Sequence, residues 1–472
     1  MEVESILKIL VLVIGFYMAW NIGANDVSNA MGTSVGSGAL TLRRAVFLAA
    51  ILEFCGAFFA GSNVSETVQK GLLDTDMFLT EPTVLILGMC AALFGTSLWL
   101  QIASYFGWPV STTHAIVGAV IGFGGVIGGT QAIQWSEVGS IAVSWIISPV
   151  TAGIVSYIIF SVLQRYILFA MSPIHATRKL LPILVWIVFT TFTFSLLLNG
   201  IQNVEVSFPR IVAIALLVGA AAFGVSYLLV RKFFPAEFQA KSTPFHLPHH
   251  VISLDKAIKH LQRVQLASQD ETQEKVGALL KEVKALSVDL RQKTNFSEKA
   301  SEYRTVEKMF MYLQILSACF VAFAHGANDV ANAIGPVAAV LDIIKNGQIS
   351  SVASVPPWLL AFGGVGIVVG LATWGWRVIE TIGRKITELT PTRGFCAEFG
   401  AATTILIASK LGMPISTTHC LVGAVLGVGF ARGIRALNLN MIRDIILSWV
   451  ITIPASAVMS ILTFYLLRLL FL

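Results

Sequence analysis

The chain has 472 residues, of which 56% are hydrophobic and 12% are charged, and its formal net charge is +6. Soluble proteins usually carry about 25% charged residues, so this composition excludes an ordinary soluble domain and indicates an integral membrane protein. The basic residues are scattered between apolar runs and form no stretch interleaved with aromatic residues, which argues against a nucleic-acid partner.

Apolar runs of about 20 residues recur along the chain, and this is the length that a helix needs to cross a hydrocarbon core of about 30 Å. They predict an all-α polytopic membrane protein with about twelve transmembrane helices rather than a β-barrel. The runs cover residues 5–22, 43–61, 82–104, 113–130, 136–168, 180–199, 208–231, 307–325, 357–380, 394–410, 414–430 and 441–470. The first run lacks the cleavage site of a signal peptide, so we expect it to be retained.

The placement of basic residues predicts the orientation of these helices. Cytoplasmic loops are enriched in Lys and Arg, and alternate loops of this chain carry pairs such as Arg43 with Arg44 and Arg178 with Lys179. The opposite loops carry acids such as Asp74 and few basic residues. We therefore expect a multi-pass protein of the plasma (inner) membrane with both termini outside.

One hydrophilic stretch interrupts the apolar pattern, between Glu237 and Lys308. Apolar residues recur there at helical spacing, which predicts a small helical hairpin on the cytoplasmic side. It is interpreted as a solvated connector, with a regulatory or partner-binding module as the alternative. The chain is thus divided into a first membrane repeat with connecting spans at 1–235, a cytoplasmic helical loop at 236–305 and a second membrane repeat at 306–472.

Two motifs occur twice, once in each membrane part. GANDVSNAMG at residues 23–32 returns as GANDVANAIG at 326–335, and PVSTTHAIVGAVIGFG from Pro109 returns as PISTTHCLVGAVLGVG from Pro414. An odd number of predicted helices precedes the second copy, so the second half is expected to cross the membrane in the opposite direction. Inverted repeats are common in secondary transporters, with the binding site at the repeat interface near the midplane.

The first motif places polar residues at the end of an apolar run. Gly23 and Gly326 permit a break in the helix, which is tolerable inside a membrane only where the freed backbone groups line protein or water. Four side chains then offer oxygens for a small hard cation such as Na+, or for a proton. They are Asn25, Asp26, Asn328 and Asp329. The alternative is that each Asn-Asp pair only caps a helix or bonds across helices.

The second motif places hydroxyls in front of a Gly-rich apolar helix, where the first N–H groups lack partners within the helix. Such a helix start attracts anions. Two opposed copies would therefore form a cradle for a tetrahedral oxyanion. The candidate hydroxyls belong to Ser111, Thr112, Thr113, Ser416, Thr417 and Thr418. The alternative is ordinary capping combined with close helix packing.

Two acids, Glu53 and Glu398, lie within apolar runs. A charged group at such a depth costs about 2.5 kcal/mol or more, so an intramembrane acid is by default a functional hypothesis. The alternative is a paired structural acid. Because no arginine lies deep in a span with the motifs, a bound anion would need helix ends and co-bound cations for compensation. This predicts that binding of the anion is coupled to binding of a cation.

His114 and His419 end the two Ser-Thr-Thr-His motifs. We expect both histidines to have a structural role.

These residues give the sequence a close resemblance to the PiT family of inorganic phosphate transporters, over residues 5–235 and 305–470. The resemblance rests on GANDVSNA, GANDVANA and the two PxSTTH segments. It implies twelve spans in an inverted repeat, external termini, a cytoplasmic central loop, symport of phosphate with Na+ or H+, and a homodimer. It also implies that Asp26 and Asp329 act in transport, that the two intramembrane glutamates match those of the family, and that the six hydroxyls line the substrate site.

Motifs and resemblance together predict a symporter that imports inorganic phosphate by alternating access. It would need no cofactor besides the co-transported cation, with Na+ favoured over H+. Sulfate fits the same hydroxyls and helix ends, and a metal-phosphate complex is another candidate cargo of the same fold. Outside transport by symport, the alternatives are a phosphate-sensing receptor and an anion channel. The sequence contains no P-loop motif, so we do not expect an enzyme.

Overall fold

In the computed structural model the protein is α-helical almost throughout, as the all-α prediction requires. The structure describes residues 2–62, 64–65, 72–199, 207–234, 248–268, 270–293, 296–349, 355–379, 389–433 and 439–472. The helices in chain order are α1 (Glu2–Gly36), α2 (Leu42–Ala60), α3 (Pro82–Phe106), α4 (Thr112–Ile127), α5 (Trp135–Leu163), α6 (Pro173–Asn199), α7 (Phe208–Phe233), α8 (Pro248–Ala267), α9 (Asp270–Lys293), α10 (Phe296–Asn346), α11 (Pro357–Thr373), α12 (Pro391–Lys410), α13 (Thr417–Arg432) and α14 (Leu439–Phe471).

Seven helices of the described residues are long and apolar enough to cross a membrane by themselves, namely α1, α3, α5, α6, α7, α10 and α14. Each predicted run overlaps a helix of the described residues, but several of these helices are short. Both α4 and α13 have 16 residues, which corresponds to about 24 Å at 1.5 Å per residue. The hydrocarbon core is about 30 Å thick, so these short helices would not cross it by themselves. The predicted number of about twelve transmembrane helices therefore exceeds the number of described helices that could each cross the membrane alone.

The predicted helix breaks at Gly23 and Gly326 are wrong, because α1 and α10 continue through both glycines. The glycines allow close helix crossings instead. A Cβ added at Gly23 would lie 1.9 Å from the carbonyl oxygen of Ile367, and one at Gly326 would lie 2.1 Å from that of Glu53. Only a residue without a side chain fits at such a distance. The glycine of each motif is therefore explained by a close helix crossing and not by a helix break.

Equivalent crossings relate the two halves. In α2, a Cβ at Gly56 would lie 2.0 Å from the carbonyl oxygen of Phe323, and in α11 one at Gly370 would lie 1.8 Å from that of Trp20. Thus α2 packs on the α10 motif as α11 packs on the α1 motif. These glycines bring α2 and α11 close to the helices that carry the Asn-Asp pairs.

The unwound segments lie directly before the Ser-Thr-Thr-His motifs. Helix α3 is followed by Gly107 in the left-handed conformation (φ +69°), and α4 begins only at Thr112. Likewise α12 ends near Gly412 (φ +67°), and α13 begins at Thr417. Glycine adopts this conformation without the steric cost that a side chain would add, which explains where each helix stops. We call 107–111 and 411–416 the two site loops.

By its internal contacts the chain forms two compact units. One contains Met1–Phe160, Val185–Ala222 and Phe310–Leu472, and both motif pairs lie in it. The other contains Ser161–Leu184 and Phe223–Met309. Within this second unit α8 packs against α9, so the hydrophilic stretch contains a pair of packed helices. The three-part division of the chain stays a prediction.

Candidate functional site

The two Asn-Asp motifs of α1 and α10 meet in a buried position. His325, which directly precedes the second copy, lies between their aspartates. Its Nε2 is 3.1 Å from Asp329 Oδ2 and 3.9 Å from Asp26 Oδ2. The three side chains are buried, and their potential ligand atoms lie within 4.8 Å of one another. The two aspartates therefore occupy one location, although they are far apart in sequence.

Glu53 joins this group from α2. Its Oε1 lies 3.2 Å from His325 Nδ1, and both side chains are fully buried. One imidazole thus lies beside three carboxylates. With all three carboxylates ionised, the net charge of the group would be negative even if the imidazole were protonated. Buried charge is stable only when it is paired, and a bound cation would supply the missing charge. We call Asp26, Glu53, His325 and Asp329 the acidic centre.

Hydroxyls of the second Ser-Thr-Thr-His motif reach both aspartates. Thr417 Oγ1 donates to Asp329 Oδ2 at 2.8 Å, and Thr418 Oγ1 lies 3.4 Å from Asp26 Oδ1. The start of α13 is therefore held against the acidic centre. An anion at this helix start and a cation at the aspartates would be direct neighbours.

The first turn of each of α4 and α13 also bonds to the site loop of the other half. Thr113 Oγ1 donates to the carbonyl oxygen of Ile415 at 2.9 Å, and Thr418 Oγ1 lies 3.3 Å from the carbonyl oxygen of Val110. All four residues are buried. The reciprocal contacts bring the N-terminal ends of α4 and α13 together, as a shared cradle requires.

Ser111 and Ser416 are the N-caps of these helices. Ser111 Oγ accepts from the backbone N–H of His114 at 3.2 Å, and Ser416 Oγ accepts from that of His419 at 3.1 Å. This is the capping role that the sequence left open for the hydroxyls. The capped serines fix the direction of the first helical turn, where N–H groups attract anions.

Two further asparagines link each motif to the opposite half. Asn29 Nδ2 donates to Thr418 Oγ1 at 2.8 Å and lies 3.3 Å from Asp26 Oδ1. Asn332 Nδ2 lies 3.1 Å from Thr113 Oγ1 and 3.3 Å from Thr112 Oγ1. The sequence analysis did not select these residues. Their spacing of three residues after each aspartate, on the same helix face, was a signal for them.

The amides of Asn25 and Asn328 hold the site loops. Asn25 Nδ2 donates to Ser104 Oγ at 3.0 Å and to the carbonyl oxygen of Trp108 at 3.1 Å. The Asn328 amide contacts Ser409 Oγ at 3.0 Å in the other half. Both contacts are bonds across helices, which was the alternative to ion binding. In this structure the two asparagines support the loops that carry the hydroxyls.

Glu398 lies apart from the acidic centre, in a polar cluster of its own. Its carboxylate accepts four hydrogen bonds at distances between 2.5 and 3.1 Å. The donors are Thr33 Oγ1, Ser34 Oγ, Gln314 Nε2 and Ser317 Oγ. Thr33 follows Asp26 by about two helical turns, which separates the two groups by about 10 Å along α1. We call Glu398 and its four donors the Glu398 pocket.

His114 and His419 pack against each other with ring centroids 4.3 Å apart. Each also stacks on an indole, His114 on Trp145 at 3.8 Å and His419 on Trp449 at 3.5 Å. This packing accords with the structural role that we expect for both histidines.

The sequence of the chain matches the Phosphate transporter family over residues 22–460. A protein of Chlamydia pneumoniae that carries the name of a phosphate permease is 47% identical, with 98% of this chain and 99% of the relative covered. The chloroplastic inorganic phosphate transporter 2-1 of Arabidopsis thaliana is 44% identical, with 97% of this chain and 72% of the relative covered.

A solved structure described as the sodium-dependent phosphate transporter has a similar fold. It superposes with a TM-score of 0.80 at 34% sequence identity, covering 98% of this chain and 99% of its own. The similarity thus extends over both halves and the segment between them. Together with the sequence match and the apolar helices, it establishes that this chain is a multi-pass membrane protein that belongs to the phosphate transporter family.

Proposed function

We propose that this protein is a secondary transporter that imports inorganic phosphate together with a cation, Na+ in preference to H+. One observation carries the proposal: the N-terminal turn of α13 is bonded to the aspartates of both motifs, through Thr417 to Asp329 and through Thr418 to Asp26. An anion-binding helix start and a cation-binding carboxylate pair therefore form a single site.

Charge explains why the two ions would bind together. The acidic centre has three carboxylates and one imidazole, and a phosphate anion beside it would be repelled by the excess negative charge. A cation at Asp26 and Asp329 reduces this repulsion and supplies positive charge beside buried carboxylates. Each ion then raises the affinity for the other by the same factor, which is the thermodynamic basis of symport.

The choice of Na+ rests on the ligand atoms. Carboxylate and hydroxyl oxygens surround the aspartates, and hard cations prefer such oxygen ligands. We assign Asp26, Asp329 and Glu53 to cation coupling, and Glu398 to a second coupling position in its own pocket. Sodium dependence is also named in the description of the related solved structure. Asn25 and Asn328 would act on the cation through the position of the site loops.

We assign phosphate to the hydroxyls and first-turn N–H groups of the two Ser-Thr-Thr-His motifs, beside Asp26 and Asp329. Sulfate has the same shape, but near neutral pH only phosphate carries a proton that it can donate to a carboxylate. Acceptors are abundant here, since Asp26 Oδ2 has no hydrogen-bond partner among the described residues. This favours phosphate over sulfate as cargo.

Alternating access would move the two halves around this site. We propose inverted repeats that approach it from opposite membrane faces, in a homodimer of the plasma membrane. Both termini would then be outside and residues 236–305 in the cytoplasm. The equivalent glycine crossings at Gly23 and Gly326 support a two-fold relation of the halves.

The proposal is tested with purified protein in proteoliposomes that take up radiolabelled phosphate. Uptake at fixed pH with an inward Na+ gradient is compared with uptake after Na+ is replaced by choline. We expect uptake to require Na+ and to resist a large excess of sulfate. Full uptake in choline would contradict coupling to Na+, and phosphate current without a coupled cation would indicate a channel.

A further inference from the structure

Two cationic side chains of the second half lie near the starts of the two site loops. Arg377 Nη1 donates to the carbonyl oxygen of Tyr105 at 3.4 Å, at the end of α3 just before the first site loop. Lys410 is the last residue of α12, just before the second site loop, and its Nζ donates to the carbonyl oxygen of Leu198. In the register that aligns the Ser-Thr-Thr-His motifs, Lys410 corresponds to Tyr105. Each site loop thus begins beside one cation.

The Arg377 guanidinium is held by aromatic rings. Its Cζ lies 5.3 Å from the ring centroid of Tyr105, 5.1 Å from that of Trp374 and 5.3 Å from that of Trp376. Such cation–π contacts orient the planar group without using its hydrogen-bond donors. Arginine has five N–H donors, and the carbonyl oxygen of Tyr105 is its hydrogen-bond acceptor among the described residues. Donors therefore remain for an anion.

Both site loops lead from an exposed residue to a buried capping serine. Tyr105 is 60% exposed and Leu411 is 67% exposed, whereas Ser111 and Ser416 are each 1% exposed. Six extended residues reach at most about 20 Å, which limits the path from each loop start to the motif hydroxyls. An anion held at either loop start would be one short step from the proposed phosphate position.

The acidic centre itself cannot attract an anion from solution. Among the described residues, its carboxylates pair with His325 and with no lysine or arginine. A phosphate ion that approaches the site therefore needs positive charge on the way. Cations at the opening of a cleft raise the local concentration of an anion and its rate of association.

We propose that Arg377 and Lys410 are two access sites for inorganic phosphate, one on each face of the membrane, which bind the anion before it passes to the Ser-Thr-Thr hydroxyls. The inference rests on the proposed phosphate transport and on the inverted order of the halves. Each access site serves the loop that begins beside it. The ligand is the free phosphate ion and not the phosphate group of a lipid.

The test compares Arg377→Gln and Lys410→Gln with the charge-keeping variants Arg377→Lys and Lys410→Arg. Phosphate uptake is measured in right-side-out and in inside-out membrane vesicles at low ionic strength and fixed Na+. We expect Arg377→Gln to raise the KM for phosphate by about threefold or more on one face only, and Lys410→Gln to do so on the other face, with an unchanged maximal rate. The charge-keeping variants should stay closer to the wild type than the glutamine variants, because attraction of the anion at low ionic strength depends on the charge.

High salt separates this role from a structural one. Choline chloride at about 0.5 M shortens the Debye length to a few Å, so the increase in KM should largely disappear. Unchanged KM values in both glutamine variants, an effect on the same face for both, or an effect that persists in high salt would overturn the proposal. An effect that vanishes in proteoliposomes of phosphatidylcholine alone would assign the cations to anionic lipid instead. Wild-type uptake in the same vesicles tests the proposed transport separately.

Discussion

The acidic centre and the Glu398 pocket are both buried sites for carboxylates, but they stabilise negative charge in different ways. In the acidic centre, the imidazole of His325 is the single group among the described residues that can bring positive charge to Glu53 and the two aspartates. In the Glu398 pocket, one carboxylate accepts four hydrogen bonds from neutral hydroxyl and amide groups. The first site lacks positive charge, and the second is nearly complete in hydrogen bonds.

This difference indicates distinct roles for the two sites. A group with too little positive charge gains most from a bound cation, and its affinity for the cation would depend on the anion beside it. A carboxylate held by four donors is fixed in place, and a cation there would be bound without contact with the phosphate position. The acidic centre would therefore couple the two ions, whereas the Glu398 pocket would bind a cation independently of phosphate.

Removing the imidazole should have the largest effect on stability. In His325→Asn the three carboxylates of the acidic centre lose their shared partner, and breaking a buried ion pair costs about 3–5 kcal/mol. We expect a clearly lower melting temperature in detergent and no phosphate uptake. Melting is measured by intrinsic fluorescence and uptake in proteoliposomes.

A second substitution tests whether the lost stability comes from charge. Glu53→Gln added to His325→Asn removes one uncompensated charge and should restore part of the melting temperature. Glu398→Gln added to His325→Asn serves as the matched control and should restore none. Equal recovery in both double variants would mean that the two sites are not electrostatically distinct.

Neutralising either aspartate should nearly abolish transport with less loss of stability. Hydrogen bonds to a charged group contribute about 1.5–3 kcal/mol, a factor of about 10–100 in affinity. Asp26→Asn and Asp329→Asn each lose this contribution and the charge that attracts a cation. We expect initial phosphate uptake to fall about 100-fold at subsaturating Na+. Asp342→Asn, on the same helix as Asp329, is the control and should transport normally; uptake unaffected in both site variants would refute the assigned role.

The meeting of the two Asn-Asp motifs was predictable from the sequence because repetition supplies geometric information. Two copies of one motif in one fold imply two equivalent positions, and the odd number of predicted helices before the second copy implies opposed directions. The bonds of Thr417 to Asp329 and of Thr418 to Asp26 accord with that expectation. The all-α fold followed from the length and recurrence of the apolar runs.

Other features could not be predicted because they depend on how helices pack. Glycine in an apolar helix permits either a break in the helix or a close crossing with another helix. At Gly23 the close approach of the Ile367 backbone shows that it is a crossing, and the sequence does not contain this information. The donors of the Glu398 pocket come from two helices, α1 and α10, and Gln314 and Ser317 belong to no repeated motif. His325 has no counterpart in the first copy, so repetition gave it no weight.

Changing the acid of the Glu398 pocket should affect Na+ more than phosphate. Glu398→Gln keeps the size of the side chain but removes the charge, and its NH2 group then faces donors such as Gln314 Nε2. We expect the Na+ concentration for half-maximal uptake to rise about tenfold, equivalent to about 1.4 kcal/mol. At saturating Na+ the KM for phosphate should stay near that of the wild type. An equal rise in both values would assign Glu398 to the acidic centre in function.

Removing one of the four donors should have the smallest effect. Thr33 Oγ1 donates to Glu398 Oε1 at 2.5 Å, and the pocket keeps three donors in Thr33→Ala. A hydrogen bond to a charged group contributes about 1.5–3 kcal/mol. Because three donors remain, we expect a loss at the lower end of this range, which corresponds to a decrease in melting temperature of about 3 °C in a large domain. Thr33→Ser retains the hydroxyl and should melt close to the wild type, since the bond and not the methyl group is responsible. If the serine variant melted as low as the alanine variant, packing of the methyl group would matter more than the hydrogen bond. The negative charge of Glu398 would then be stabilised mainly by the other three donors, and the Thr33 hydroxyl would contribute little to the stability of the pocket.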